Sequence, residues 1–211
     1  HLMRTTHDFW RAWSTKQDFT FYGLDENIVS LFKKSLFVVR VHADNRGAIL
    51  ASGDSDMLQN GRDTYGYMWP RDASFSAMAL EMAGDPHVAR RFFEFCNDIV
   101  TDDGYFMHKY RPDRSLGSSW HPWVRKETGE VRLPIQEDET ALPLISLARF
   151  YESTKDLEFV EAKLLRIGLI KSFLIDSEAQ KWVTRAKEFI NSTLNDLTKG
   201  LRTMQLGDAK V

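Results

Sequence analysis

An Arg-Asp pair flanked by aromatic residues is the part of this sequence whose chemistry is easiest to interpret. Residues 65–73 read YGYMWPRDA, so that Arg71 and Asp72 directly follow Trp69 and Pro70. Aromatic rings offer flat apolar faces to a pyranose ring, while a guanidinium and a carboxylate make charge-assisted hydrogen bonds to its hydroxyls. The segment therefore predicts a carbohydrate site. The same residues fit a plain salt bridge between Arg71 and Asp72 that caps a helix.

Three consecutive acidic residues follow Gln136 at a second predicted helix start. Repulsion within the cluster Glu137, Asp138 and Glu139 can raise a carboxyl pKa, which is what a general acid requires. Only helix positions three or four apart share a face, however, so these three side chains should point in different directions. We interpret the cluster as charge at a helix start, and keep Glu137 and Glu139 as minor catalytic candidates.

A turn-rich loop presents Trp120, His121 and Trp123. His121 fits either a hydrogen bond to a sugar hydroxyl or a loop histidine bonded to backbone. The sequence has no His-x-x-x-His or Cys/His spacing typical of zinc, and residues 54–63 do not match an EF-hand loop. A structural calcium in that acidic loop is a minor alternative. We expect no metal site and no organic cofactor.

Hydrophobic spacing predicts that helices position these residues. The first spans about residues 26–39. The second begins at Pro70, which suits a first helical turn, and stops near Gly84. The third covers about residues 86–100 and packs outside the second. The faces predicted to be buried are, in chain order, Ile28, Leu31, Phe32, Ser35, Leu36 and Val39; Phe75, Met78, Ala79 and Met82; and Val88, Phe92, Phe95 and Ile99.

A fourth helix is predicted to begin near Thr140, which can cap it, with Pro143 in its first turn. Two extended segments, residues 105–110 and 131–133, flank the tryptophan loop and predict a small β-hairpin. The buried stripe of the fourth helix consists of Leu144, Leu147, Ala148 and Tyr151.

No repeat, low-complexity tract or linker divides residues 1–211, so we predict a single domain. The polar residues 42–64 are long enough for a functional rim around a site. Beyond Val160 the sequence changes character: residues 164–174 are apolar and basic, and residues 179–197 have the spacing of an amphipathic helix. Residues 161–211 are thus a helical C-terminal part of uncertain kinship.

Composition indicates a soluble globular chain. Its 211 residues are 43% hydrophobic and 12% aromatic, which is enough for a core. A net charge of -2 argues against nucleic acid or an anionic membrane as a partner, and no apolar run approaches the roughly 20 residues of a membrane span. The one cysteine, Cys96, fits buried packing. We expect no signal peptide and a cytoplasmic location.

The order of motifs resembles glycoside hydrolase family 15, the glucoamylase and glucodextranase family that also includes trehalases. Residues 65–80, YGYMWPRDASFSAMAL, are similar to the family's first sugar-contacting motif. Residues 132–154, RLPIQEDETALPLISLARFYEST, are similar to its next helix entry, where a Pro-x-Gln-x-Asp pattern opens an inner helix. The resemblance runs from about Trp10 to about Val160.

This resemblance implies an all-α fold of the (α/α)6-toroid type, here partial, with a small β-hairpin. It implies a domain that binds the non-reducing-end glucose of an α-linked glucan and, when intact, hydrolyses the bond with inversion. In the family pattern, Arg71 and Asp72 hold hydroxyls of the terminal sugar. The pocket around that sugar is shaped by Trp69, Trp120 and Gln136.

Inversion needs two carboxyl groups, roughly 6.5–9.5 Å apart. The family's general acid lies in a downstream Trp-Glu-Glu segment, which this sequence lacks, since Trp182 is followed by Val183. Glu137 also departs from family members that carry a basic residue there. We therefore expect the acid and the base to be absent from this chain.

Two other functions stay open at this point. A trehalase-type specificity shares the Trp-x-Arg-Asp pattern. A non-catalytic carbohydrate-sensing or regulatory module, similar to the family-15-like domain of phosphorylase kinase regulatory subunits, needs no acid or base. Half a barrel would also expose apolar flanks, so we expect a homo-oligomer.

Overall fold

The computed structural model describes residues 1–15, 19–53, 65–119, 123–156 and 158–160. Five α-helices lie within these ranges: α1 (Leu2–Ser14), α2 (Glu26–Val41), α3 (Pro70–Met82), α4 (Pro86–Ile99) and α5 (Glu137–Thr154). The described β-structure consists of isolated bridges. This confirms the all-α prediction at the level of class, and the (α/α)6 toroid stays a prediction.

Helix α3 lies at the centre of the described fold and packs against α5 on one side and α4 on the other. The core between them is aromatic: Phe92, Phe95 and Phe106 have no exposed surface. Phe93 of α4 meets Phe150 of α5 with their ring centroids 5.3 Å apart. Burying a side chain of this size contributes about 1.5–3 kcal/mol, so the three helices hold each other in place.

Local signals at the ends of α3 are confirmed. Pro70 occupies the first helical position, where its missing N–H costs nothing, and Asp72 lies in the first turn. The helix ends at Met82, and Gly84 has a φ of 82°, a conformation that favours glycine. The start of α3, which carries Arg71, is thus set by neighbouring residues.

The buried face of α4 is also confirmed, because Val88, Phe92, Phe95 and Ile99 are all buried.

The predicted buried face of α3 is wrong. Phe75 is 41% exposed and Met82 is 75% exposed. Helices α4 and α5 make the most extensive contacts with α3 and approach it mainly over small side chains, so Phe75 and Met82 lie outside these contacts. The buried residues of α3 are Pro70, Ala73, Ser74, Ala77 and Leu80.

The predicted buried face of α2 is wrong: no residue of the helix is fully buried, Ile28 is 44% exposed and Leu31 is 65% exposed. The helix itself is confirmed and runs two residues further than predicted, to Val41. The helix packs against α3, its Phe37 meets two tryptophan rings of α1, and Val39 packs against the core. The first half of α2 therefore has apolar side chains facing outward.

Helix α5 begins at Glu137, earlier than predicted, which places Pro143 inside the helix rather than in its first turn. Thr140 does not cap the helix, since its hydroxyl accepts a hydrogen bond from the backbone N–H of Phe106 at 3.0 Å. Of the predicted stripe, Leu147 is buried, whereas Ala148 is exposed. Leu144 and Tyr151 are half-buried and pack against the core.

The predicted hairpin between residues 105–110 and 131–133 does not form. Tyr110 instead exchanges two backbone hydrogen bonds with Met68, each 2.8 Å long, and Val131 bridges to Val124. The His108 N–H donates to the carbonyl of Pro134, which lies just beyond the second segment. Because Met68 lies just ahead of α3, the pairing with Tyr110 fixes the approach to the Arg-Asp pair.

Helix α1 is attached through Trp13, whose indole N–H donates to Asp85 at 2.7 Å. Cys96 is buried as expected, and burial raises the pKa of its thiol well above the usual value. Among the described helices, none combines the length and the apolar character that a bilayer crossing requires. Residues 161–211 lie outside the described residues, so the single-domain prediction stays a prediction.

Candidate functional site

The first turns of α3 and α5 meet at Arg71. Its Nη1 lies 3.2 Å from Gln136 Oε1 and 3.1 Å from Asp138 Oδ2. The same nitrogen lies 3.1 Å from Glu139 Oε1, while Nε lies 3.3 Å from Asp72 Oδ2. One guanidinium thus faces three carboxyl groups and one amide, and Arg71 and Gln136, which the resemblance assigns to the same site, lie in one cluster.

The three consecutive acidic residues do not all diverge as predicted, because Asp138 and Glu139 converge on the same nitrogen of Arg71. The rule for helix faces fails here since the target lies beyond the helix end, where side chains of the first turn can reach the same point. The side chain of Glu137 lies outside the described residues.

Glu139 is the most deeply buried member of the cluster, with no exposed surface. Its Oε2 accepts a hydrogen bond from the backbone N–H of Arg71 at 2.6 Å. Burial raises the pKa of Glu139 to about 8, while the Arg71 backbone N–H and guanidinium act in the opposite direction. Burial also lowers the pKa of Arg71, but the three carboxyl groups outweigh it, so that this pKa lies above its ordinary value.

The opposite side of the Arg-Asp pair is accessible. The Arg71 side chain is 29% exposed and that of Asp72 is 54% exposed. Within the described residues, the contacts of the guanidinium use Nε and Nη1, which leaves the donors of Nη2 for a ligand. Asp72 also lines a groove of about 280 Å³, together with Phe75 and His42. This volume is near the lower end, about 300 Å³, of known ligand pockets.

Aromatic rings stand beside the pair. Trp69 is half-buried, and its ring centroid lies 5.8 Å from that of Tyr65 and 6.1 Å from that of Tyr67. The Lys109 ammonium lies 4.6 Å from the Tyr67 centroid and 5.2 Å from the Trp69 centroid, at cation–π distance. Lys109 is only 1% exposed, so it supports the rings from below.

Two residues of this cluster were not predicted in these roles. Lys109 sits in a segment whose neighbours Phe106, His108 and Tyr110 alternate inward, so its own side chain would be expected outside. It is buried because Tyr67 and Trp69 cover it. Glu139 was considered as a proton donor, whereas the structure places its carboxyl beneath Arg71.

The described residues bring together Arg71, Asp72 and Gln136, with Trp69 at the same helix start. Trp120 and His121 lie outside the described residues. No group of three or more potential ligands for a metal ion occurs in the described ranges. Assignment of a ligand to this cluster stays a prediction.

No protein-family model matches the chain. It is similar to an uncharacterized glycosyl hydrolase of Methanocaldococcus jannaschii, with 28% identity over 138 residues, which is 65% of this chain and 19% of that protein. Solved structures of glycosidases are similar to this chain in fold. A wild-type glycosidase superimposes with a TM-score of 0.52 and 22% identity over 74% of this chain and 43% of its own.

A variant of a glycosidase in complex with glucose gives a TM-score of 0.52 and 23% identity over 72% of this chain and 42% of its own. These likenesses show that the chain shares the helical fold of part of a glycosidase. It spans about a fifth of the curated relative and less than half of the solved structures. The resemblance to glycoside hydrolases is thereby confirmed, whereas family 15 itself stays a prediction.

Proposed function

We propose that this chain is the carbohydrate-binding part of a glycoside hydrolase of the family 15 type. Its ligand is the non-reducing-end glucose of an α-linked glucan, held by Arg71 and Asp72. The proposal rests mainly on the contacts of Arg71. Nη1 bonds to Gln136 and Asp138 at the start of α5, whereas no contact among the described residues uses Nη2, and the neighbouring Asp72 carboxylate is half-exposed.

This arrangement suits a sugar for three reasons. A fixed guanidinium loses little freedom when it donates two hydrogen bonds to neighbouring hydroxyls. The Trp69 ring, which Lys109 and Tyr67 hold, offers an apolar face. Three carboxyl groups lie around one guanidinium, so acidic groups outnumber basic ones there. Such a surrounding favours the positive charge that develops on a sugar ring during glycoside cleavage.

In the intact enzyme we infer hydrolysis with inversion, the acid and the base being supplied from outside the cluster around Arg71. Glu139 is a poor proton donor for this purpose because its carboxyl is enclosed and bonded to Arg71. The complete fold would be an (α/α)6 toroid acting in the cytoplasm, and this chain would self-associate through its exposed apolar helix faces.

Trehalase-type hydrolysis is the second candidate, and a non-catalytic carbohydrate-sensing module is the third. The third is favoured by one observation, the neutralisation of Arg71 by neighbouring carboxyl groups, which makes a stable binding surface without a free acid. Affinity and turnover distinguish the three candidates, since a sensing module binds sugar without cleaving it.

The test is a calorimetric titration of the purified chain with maltose, trehalose and cellobiose. We expect maltose to bind and the β-linked cellobiose to bind more weakly. Arg71→Met should weaken maltose binding roughly 10- to 100-fold, because hydrogen bonds to a charged group are lost. Arg90→Met removes the salt bridge to Asp156 and serves as the matched control with unchanged affinity. Absence of binding to any sugar, or wild-type affinity in Arg71→Met, would overturn the proposal.

A further inference from the structure

The start of α3 is capped from another helix. Its own N-cap residue, Trp69, provides no side-chain hydrogen bond. The free N–H of Arg71 instead donates to Glu139 Oε2, although the two residues are 68 positions apart. A helix start carries partial positive charge and unpaired N–H groups, so a carboxyl group at this place is favourable.

Glu139 also forms an ion pair with the other end of the same residue, since its Oε1 lies 3.1 Å from Arg71 Nη1 without making a hydrogen bond. One carboxyl group therefore connects both the backbone and the guanidinium of Arg71 to α5. The backbone bond fixes the start of α3 relative to α5, and the ion pair attracts the guanidinium to the same place.

We propose that Glu139 is the positioning residue of the carbohydrate site, which holds Arg71 in the orientation that presents Nη2 to a sugar. This inference rests on the proposed function and adds a residue that does not itself contact the ligand. Glu139 acts through Arg71 alone, because its carboxyl has no exposed surface.

Asp138 is the natural comparison. Its Oδ2 lies 3.1 Å from the same Nη1, but its side chain is 48% exposed. Water screens an exposed ion pair, which therefore contributes little, whereas the charge of a buried carboxylate is screened much less. The charge of Glu139 therefore contributes more than that of Asp138 at the same distance from Nη1. Because Asp138 still bonds to Arg71, the matched carboxyl-to-amide control for Glu139→Gln is Asp156→Asn, whose side chain pairs with Arg90 instead.

If Glu139 acts through its charge, the affinity for maltose depends on pH. A purely structural role of Glu139 would give no such dependence. The groups that face the Glu139 carboxyl are Arg71, Asp72, Asp138 and Tyr110. As a carboxylate, Glu139 accepts the Arg71 backbone N–H through Oε2 and attracts the guanidinium through the charge of Oε1; when protonated, or as glutamine, it keeps the backbone bond and loses that attraction. Maltose binding by the wild type should therefore tighten between pH 6 and pH 9, and that of Glu139→Gln should not.

The experiment is a maltose titration of the wild type, Glu139→Gln, Asp156→Asn and Arg71→Met at pH 6 and pH 9. At pH 9 we expect Glu139→Gln to bind roughly 10- to 100-fold more weakly than the wild type, and Asp156→Asn within about threefold of it. At pH 6 the gap between wild type and Glu139→Gln should narrow.

Each result has one meaning. If Arg71→Met loses affinity but Glu139→Gln binds as the wild type at both pH values, the positioning role is wrong and the proposed function stands. If the wild type binds no sugar, the proposed function fails and the positioning role falls with it.

If Glu139→Gln does not fold, hydrogen exchange of the Arg71 backbone amide in the wild type is measured instead. Hydrogen exchange of that amide should slow when maltose binds at pH 9, and unchanged exchange would overturn the inference.

Discussion

Raising the pH from 5 to 9 should weaken the folded state by ionising one buried carboxyl group, that of Glu139. Burial raises the pKa of Glu139 from an ordinary value of 4.5 to about 8. The Arg71 backbone N–H and guanidinium oppose this rise, and the neighbouring Asp138 and Asp72 add to it. Ionisation is therefore much easier in the unfolded chain, where water surrounds the group.

The sign and the size of the effect follow from proton linkage. Below pH 4.5 Glu139 is protonated in both states, and its contribution is fully present. Between pH 4.5 and about 8 the native state binds more protons than the unfolded state, so the free energy of unfolding falls as the pH rises. A pKa difference of one corresponds to about 1.4 kcal/mol. The loss is therefore several kcal/mol, against a total stability of about 5–15 kcal/mol for a typical domain.

Urea denaturation followed by circular dichroism at pH 5, 6, 7, 8 and 9 measures this loss. The variant Glu139→Gln removes the titrating group and keeps the shape, so the gap in unfolding free energy between wild type and variant should change by several kcal/mol across the series. Asp113 and Asp156 do not interfere, because hydrogen bonds from Ser115 and Arg90 lower the pKa of these carboxyls. Parallel curves for wild type and Glu139→Gln would refute the reasoning.

Four further outcomes are expected. Phe92→Ala should lower the free energy of unfolding by about 3–5 kcal/mol in urea melts, because a fully buried ring leaves a cavity, and a loss below about 1 kcal/mol would contradict this packing. Gly47→Ala should be far more destabilising than Gly129→Ala in thermal melts, since both have positive φ but only at Gly47 would a Cβ meet the Arg91 carbonyl oxygen, at 2.0 Å. The isolated chain should release little or no glucose from maltose, and robust release would show that it contains a general acid. Light scattering at micromolar concentration should show self-association, and a clean monomer that binds no apolar dye would contradict open apolar flanks.

The proposed positioning role links stability to binding. The carboxylate form of Glu139 costs folding energy because it is buried, yet it is the form that holds Arg71 at two points. Affinity for maltose and resistance to urea should therefore change in opposite directions over the same pH range. An opposite dependence of stability and binding is common where a binding site requires a group whose burial destabilises the fold.

Several features of this chain could be predicted from the sequence, because they depend on neighbouring residues. Pro70 and Gly84 bracket α3 because a missing N–H and a positive φ act within the residues next to them. The repeating apolar face of α4 also follows from spacing, because its buried residues Val88, Phe92, Phe95 and Ile99 recur at helical intervals.

The buried face of α3 could not be predicted in the same way. This helix is buried mainly over small residues, such as Ala73 and Ala77, while Phe75 is exposed. Hydrophobicity ranks these residues in the opposite order, because it does not report how closely a neighbouring helix approaches.

At the candidate site, too, some features follow from the sequence and others from tertiary packing. The residue types around Arg71 and Asp72 are enough to predict sugar chemistry and a helix start. The cap that Glu139 provides, and the support that Lys109 gives to Trp69, join segments far apart in the chain. Such contacts depend on how α3, α5 and residues 105–110 pack, and burial then sets the charge of Glu139. No local pattern carries that information, because burial and distance are properties of the packed core.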